Sequence, residues 1–266
     1  MPAARRALIA GLGLIGGSIG MALRRAGWQV DFLDPNVSID DARSSGAADE
    51  RVESLDAKSA LAHDLVILAT PVDTALLLLE QVRAGSLVTS VCSVMAPLCE
   101  RAERRPLHFV AGHPLAGSQE RGLAAARIDL FERASWFVDR ENVIVAEMIA
   151  ACGASVHTID PVQHDEVLAL TSHLPQLLST ALAALLQRQS ETGDADLTTF
   201  AGSGLRTFLR LAGSDVSVWK PVLQANAAHL LPQLEALATL AREILGDDPE
   251  TPFAEANEFW MRLKKP

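Results

Sequence analysis

One short segment near the N-terminus constrains the fold more than any other. Gly11-Leu-Gly13-Leu-Ile-Gly16 follows an apolar run, Ala7–Ala10, and leads into the helix-like Ser18–Arg25. Glycines at this spacing allow a tight strand-to-helix turn, a close approach of backbone to phosphate, and close packing of helix on strand. The spacing alone is weak. The flanking strand and helix strengthen it, as does an acid at the end of the next apolar run. Asp34 follows Gln29–Leu33 and lies 23 residues past Gly11, about where a carboxylate meets a ribose diol. Asp34 also begins an Asp-Pro turn, and a purely local role would explain it too. Facing the ribose, it would repel a 2′-phosphate, so NAD is expected over NADP. Gly11, Gly13, Leu14, Ile15 and Gly16 are then the residues against the pyrophosphate.

The rest of the first half continues the pattern. Leu65–Ala69, Leu87–Val91 and His108–Ala111 read as buried strands with helical stretches between them. Continuous apolar strands alternating with helices predict a mostly parallel, doubly wound Rossmann-type sheet covered on both faces. Near Asp160 the character changes. Asp160–Arg188 is a long apolar stretch at helical spacing, opened by Asp160-Pro161, a cap followed by a first-turn proline. Asp196–Leu211, Asp215–Glu235 and the last thirty residues also read as helix. Two domains are expected, residues 1–159 and an all-helical 160–266. The second carries more apolar surface than a small bundle buries, which predicts a homodimer.

Charge and composition remove other classes. The net charge is −10 and no Lys/Arg run occurs, so nucleic acid is not an expected partner. Three cysteines without a CxxC pair fit reduced thiols in a cytoplasmic protein, with no zinc site and no metal. The N-terminal apolar run is glycine-rich and lacks a small-residue cleavage site, so no signal peptide is expected. No stretch approaches 18 uninterrupted apolar residues, and no membrane span is expected.

Chemistry-bearing residues cluster at two strand ends. Ser90-Val-Cys-Ser93-Val follows one strand, and Gly112-His113-Pro114-Leu-Ala-Gly117-Ser118 follows the next. In open α/β sheets ligands sit at such ends. His113 could take a proton near neutral pH with Ser93 orienting it, or it could simply cap loop backbone. In the helical half, His173 and Gln176 share a helix face within Thr171-Ser-His-Leu-Pro-Gln176, where a polar kink at Pro175 is the plain alternative. Arg206 and Arg210 are i, i+4 neighbours. They are either solvated or ligands for a carboxylate.

Taken in order, GLGLIGGSIG, ATPVD, SVCSV, AGHPLAGSQERG, TSHLP and AGSGLRTFLRLAGSD…W resemble the prephenate/arogenate dehydrogenase family, from Ala7 to about Asn226. The resemblance implies a Rossmann domain, a helical dimerisation domain, and NAD-dependent oxidative decarboxylation in tyrosine biosynthesis. It implies that His113 accepts a hydrogen bond from the ring 4-hydroxyl and that Ser93 orients His113. Arg210 would bind a substrate carboxylate, His173 would line the pocket, and Thr70 and Pro71 would lie beside the cofactor. Several positions depart from the usual pattern. Met95 stands where a lysine is common, Gln119 where an acid is frequent, and Gln176 where a second histidine often follows HLP. Gly202-Ser203-Gly204-Leu205-Arg206-Thr207 replaces GGGFRD. The departures leave the choice between prephenate and arogenate open. No regulatory extension is expected beyond Pro266. The alternatives are a β-hydroxyacid dehydrogenase or imine reductase relative, and a non-catalytic nucleotide-binding regulator.

Overall fold

The computed structural model describes residues 4–55, 62–117, 120–193, 196–246 and 249–264. By compactness these fall into two units: Met1–Leu168 with Gly213–Ala225, and Ala169–Ala212 with Asn226–Pro266. The sequence places the change of character at Asp160. The short helix that follows Asp160, and a later helix inside Gly213–Ala225, belong instead to the first unit.

The first unit is built on a six-stranded parallel sheet. Its strands are β1 (Arg6–Ala10), β2 (Gln29–Leu33), β3 (Glu50–Arg51), β4 (Leu65–Leu68), β5 (Leu87–Ser90) and β6 (His108–Val110). They lie in the order β3-β2-β1-β4-β5-β6, so the winding reverses between β1 and β4. The helices are α1 (Leu14–Arg25), α2 (Ile39–Ser44), α3 (Val72–Gln81) and α4 (Ala96–Glu103). The continuous apolar strands are explained by two cores. Ala7 and Ile9 of β1 and Leu65 and Ile67 of β4 pack into one cluster, while Leu8, Ala10, Val66 and Leu68 pack into the other. Side chains alternate across a strand, so a strand covered on both faces must be apolar throughout. Each leucine, isoleucine or valine among them contributes roughly 1.5–3 kcal/mol when fully buried.

A second, three-stranded sheet was not foreseen. It joins β7 (Gly112–Pro114), β8 (Ser135–Val138) and β9 (Ser155–Thr158), with β7 antiparallel and β9 parallel to β8. Helix α5 (Val143–Ala151) lies between β8 and β9 in sequence. The chain passes from β6 to β7 through Ala111 alone. A Cβ at Gly112 would lie 2.7 Å from the Ser90 carbonyl oxygen, so glycine permits this change of sheet.

The expected continuous helix over Asp160–Arg188 is three pieces: α6 (Pro161–Leu168), a π-turn (Ala169–His173) and α7 (Leu174–Thr192). Asp160 caps α6 as expected, its Oδ1 accepting from the N–H groups of Val162 and Gln163, each at 3.0 Å. Pro175 occupies the first turn of α7, where its missing N–H costs nothing, and the π-turn precedes it. Likewise the expected helix over 196–211 is a 3-10 turn (Leu197–Phe200), α8 (Ser203–Phe208) and a second 3-10 turn (Leu209–Gly213). The remaining helices are α9 (Val216–Ala225), α10 (Ala227–Ile244) and α11 (Glu250–Leu263). No strand occurs among the described residues of the second unit. Pro161–Thr192 is long and apolar enough to cross a membrane by composition alone. It also buries His164, Asp165, His173 and Gln176, each hydrogen-bonded.

Candidate active site

The glycine turn sits past the end of β1, at the point where the strand order reverses. Gly11 has φ +90°, and a Cβ there would meet the Ala69 carbonyl oxygen at 2.6 Å. A Cβ at Gly16 would lie 1.9 Å from the Gly11 carbonyl oxygen, whereas one at Gly13 would meet nothing within 4 Å. Two of the glycines therefore serve close packing of the turn, and the third faces open space. Gly13 begins α1 without any side-chain cap, and Leu14 and Ile15 form its first turn. The orphan N–H groups of that turn are what an anionic phosphate would satisfy.

Asp34 follows β2 and makes the local contacts that were one of the two readings the sequence left open. Its Oδ2 accepts from Leu12 N–H at 2.9 Å and its Oδ1 from Asn36 N–H at 2.8 Å. It thus braces the glycine turn and shapes its own turn. Each carboxylate oxygen retains capacity for a further hydrogen bond. Past β4, Thr70 Oγ1 is buried with no hydrogen bond among the described residues, and Pro71 starts α3. An open glycine at an uncapped helix start, a carboxylate at the second strand and an orphaned hydroxyl together fit a dinucleotide.

Ser93 and His113 lie three residues past the ends of the paired strands β5 and β6. His113 is on β7, opposite Phe137 of β8, and is 9% exposed. Its Nδ1 is 2.9 Å from His164 Nε2. The two rings meet edge to face, with centroids 5.1 Å apart and planes at 85°. His164 Nδ1 is in turn 2.8 Å from Asp165 Oδ1. Asp165 Oδ1 also accepts from Met95 N–H at 2.8 Å, and Oδ2 accepts from Ala96 N–H at 2.9 Å. The nitrogen of His113 that points into the protein is therefore held by His164. Ser93 makes no side-chain hydrogen bond among the described residues. Sequence reasoning missed His164 and Asp165. The only signal was an adjacent His-Asp pair in a short helix of otherwise mixed polarity.

Met95, the departure that follows the Ser93 motif, is fully buried, and its backbone N–H donates to Asp165. Gln119 lies outside the described residues. Burial pushes the thiols of Cys92 and Cys99 up to about 12, so neither is a nucleophile at neutral pH.

The other expected substrate residues lie in the second unit. His173 closes the π-turn, fully buried, with Nδ1 2.9 Å from Asn226 Nδ2. Gln176 is 2% exposed and donates to the Leu211 carbonyl at 2.9 Å and to Thr180 Oγ1 at 3.0 Å. Gln176 thereby ties α7 to the 3-10 turn that carries Arg210. Arg206 and Arg210 do not share one helix face, because α8 ends at Phe208 and Arg210 falls in that 3-10 turn. Arg206 Nε donates to the Ala201 carbonyl at 3.1 Å. Both arginines are exposed.

A phosphate turn at the switch point of a sheet wound in this order, with an imidazole past a neighbouring strand, defines a dinucleotide-binding oxidoreductase. Comparison with known proteins narrows the class. Residues 19–154 match the nucleotide-binding domain of prephenate dehydrogenase, and residues 160–246 match its dimerization domain. The chain belongs to the prephenate dehydrogenase family. The prephenate dehydrogenase of Lactococcus lactis is 31% identical over 87% of this chain and 68% of its own length. That of Bacillus subtilis is 30% identical over 86% of this chain and 66% of its own. The chain thus spans about two thirds of the length of these relatives. A crystal structure of prephenate dehydrogenase from A. aeolicus, in complex with hydroxyphenyl propionate and NAD+, superposes with a TM-score of 0.83 at 26% identity. That match covers 98% of this chain and 97% of the other.

Proposed function

We propose that this chain oxidatively decarboxylates prephenate, arogenate or both, with NAD, in tyrosine biosynthesis, as a homodimer formed through its helical domain. The observation that carries the chemistry is His113, a largely buried imidazole past a strand end with one nitrogen committed to the protein. When bound, the nicotinamide supplies the hydride acceptor. His113 takes the proton of the ring 4-hydroxyl as the hydride leaves the carbon bearing it. The bond from the ring to its carboxylate then breaks, and its electron pair completes the aromatic ring. His113 returns its proton to the phenolic oxygen, so the histidine ends as it began. A base near neutral pH suits this task, and such groups contribute roughly 10²–10⁴-fold. Arg210 takes a substrate carboxylate, with Arg206 the next candidate, and His173 lines the pocket. Asp34 selects NAD over NADP. Relatives of similar architecture that depend on a lysine are disfavoured, because no lysine lies between Lys58 and Lys220.

Coupled assays with prephenate and with arogenate, each with NAD and NADP, test this reading. Reduced cofactor and CO2 should form together with at least one pair. Absence of turnover with all four would refute it. His113→Asn should lower kcat by roughly 10²–10⁴-fold with little change in KM.

A further inference from the structure

We propose that His164 and Asp165 are positioning residues that hold His113 in the tautomer with a proton on Nδ1 and a lone pair on Nε2. The proposal rests on His113 being the base described above. All the groups concerned, on α4, α6 and β7, lie in the first unit.

The inference follows from counting protons along the chain. Asp165 accepts from two backbone N–H groups, at 2.8 and 2.9 Å, and these can only donate. An ionised carboxylate can only accept, so His164 Nδ1, at 2.8 Å, donates to it. A neutral imidazole carries one N–H. His164 Nε2 is then a lone pair, and the nitrogen facing it at 2.9 Å, His113 Nδ1, must carry the hydrogen. A neutral His113 then carries its lone pair on Nε2, the form that a base for the hydroxyl proton requires.

The opposite placement sets a lone pair of His164 against the Asp165 carboxylate at 2.8 Å, with both partners acceptors. A doubly protonated His164 would place a charge on a ring that is wholly buried. His164 also faces Phe137, at 6.2 Å between ring centroids, which gives it an apolar neighbour. When His113 takes the proton, the imidazolium donates to His164, and the fixed Asp165 charge lies beyond. A buried carboxylate that fixes a histidine tautomer is the role of the aspartate in serine-protease triads. Here a second imidazole extends its reach from α6 to β7.

The test uses the full chain labelled with 15N in its histidine rings. Long-range proton–nitrogen correlations at neutral pH identify which ring nitrogen carries hydrogen, and His113→Asn assigns the His113 signals. The expected result is Nδ1–H on both His113 and His164. Hydrogen on His113 Nε2, or on both nitrogens of His164, would overturn the proposal. Turnover gives a second readout. His164→Phe removes the acceptor and should lower kcat about 10²-fold while KM stays within about threefold. His164→Gln offers a carbonyl oxygen at a similar reach and should recover most of kcat. A folded His164→Phe protein with wild-type kcat would also overturn it. If that variant does not fold, the wild-type spectrum decides. The spectrum needs no substrate, so it separates failure of the relay from failure of the proposed reaction.

Discussion

Gly13 and Gly16 are the third and sixth residues of a motif whose glycines look alike in sequence, yet the structure predicts opposite consequences for replacing them with alanine. At Gly16 the added Cβ would sit 1.9 Å from the Gly11 carbonyl oxygen and 3.1 Å from Ala69 Cβ. The nearer contact is backbone and cannot rotate away, so the turn or α1 must shift. Overpacking of this kind costs typically 1–3 kcal/mol. For a chain of this size that is about 2–4 °C of Tm per kcal/mol. At Gly13 the Cβ meets nothing within 4 Å, and φ −82°, ψ −153° is allowed for alanine. The loss of glycine at the helix start and the lower entropy of the unfolded chain offset each other within about 1 kcal/mol. The methyl would instead occupy the space into which a pyrophosphate must come. Gly13→Ala should therefore keep Tm within about 4 °C and raise KM for NAD at least about tenfold, equivalent to roughly 1.4 kcal/mol. Gly16→Ala should lower Tm clearly. Thermal melts and NAD titration of the two variants decide it. A Gly13→Ala protein with unchanged KM would show that phosphate does not lie against this glycine.

Three further outcomes are expected. NAD should exceed NADP in kcat/KM by at least about tenfold, and Asp34→Ala should narrow that ratio; equal kcat/KM in the wild type would remove Asp34 from ribose recognition. Arg210→Ala should raise KM for the substrate more than it lowers kcat; a change in kcat alone would move the carboxylate to Arg206. Sedimentation at micromolar concentration should give the mass of two chains, since Leu231, Leu245 and Trp260 are 58%, 87% and 54% exposed in the single chain; full activity with the mass of one chain would contradict this.

The sheet was legible because its central strands are covered on both faces, and Gln29–Leu33 was located to the residue. The small sheet was not. β7 has three residues and includes a glycine and a proline, which sequence reasoning assigns to loops. The helical half was legible in kind but not in phase. Pro175 sits within an apolar run whose periodicity continues past it, so the π-turn leaves no mark in the spacing. For the same reason Arg206 and Arg210, four apart, read as neighbours on a face that the structure breaks at Phe208. The glycine turn, Asp34 and His113 stood out through their neighbours in sequence. The partner of His113 could not, because His164 is 51 residues away and only the packing of α6 joins them.

That separation bears on how the protein can be divided. The nucleotide-binding sequence features are all present by residue 117, and β9 completes the second sheet at Thr158. A ribosome that had released only that length would have delivered the cradle for the dinucleotide and His113 itself. The residues that aim His113, at 164 and 165, would still be inside the exit tunnel. The point at which the chain changes from sheet to helix is thus not the point at which its chemistry is complete. Exchanging helical domains between relatives at that boundary would exchange the base's alignment with them.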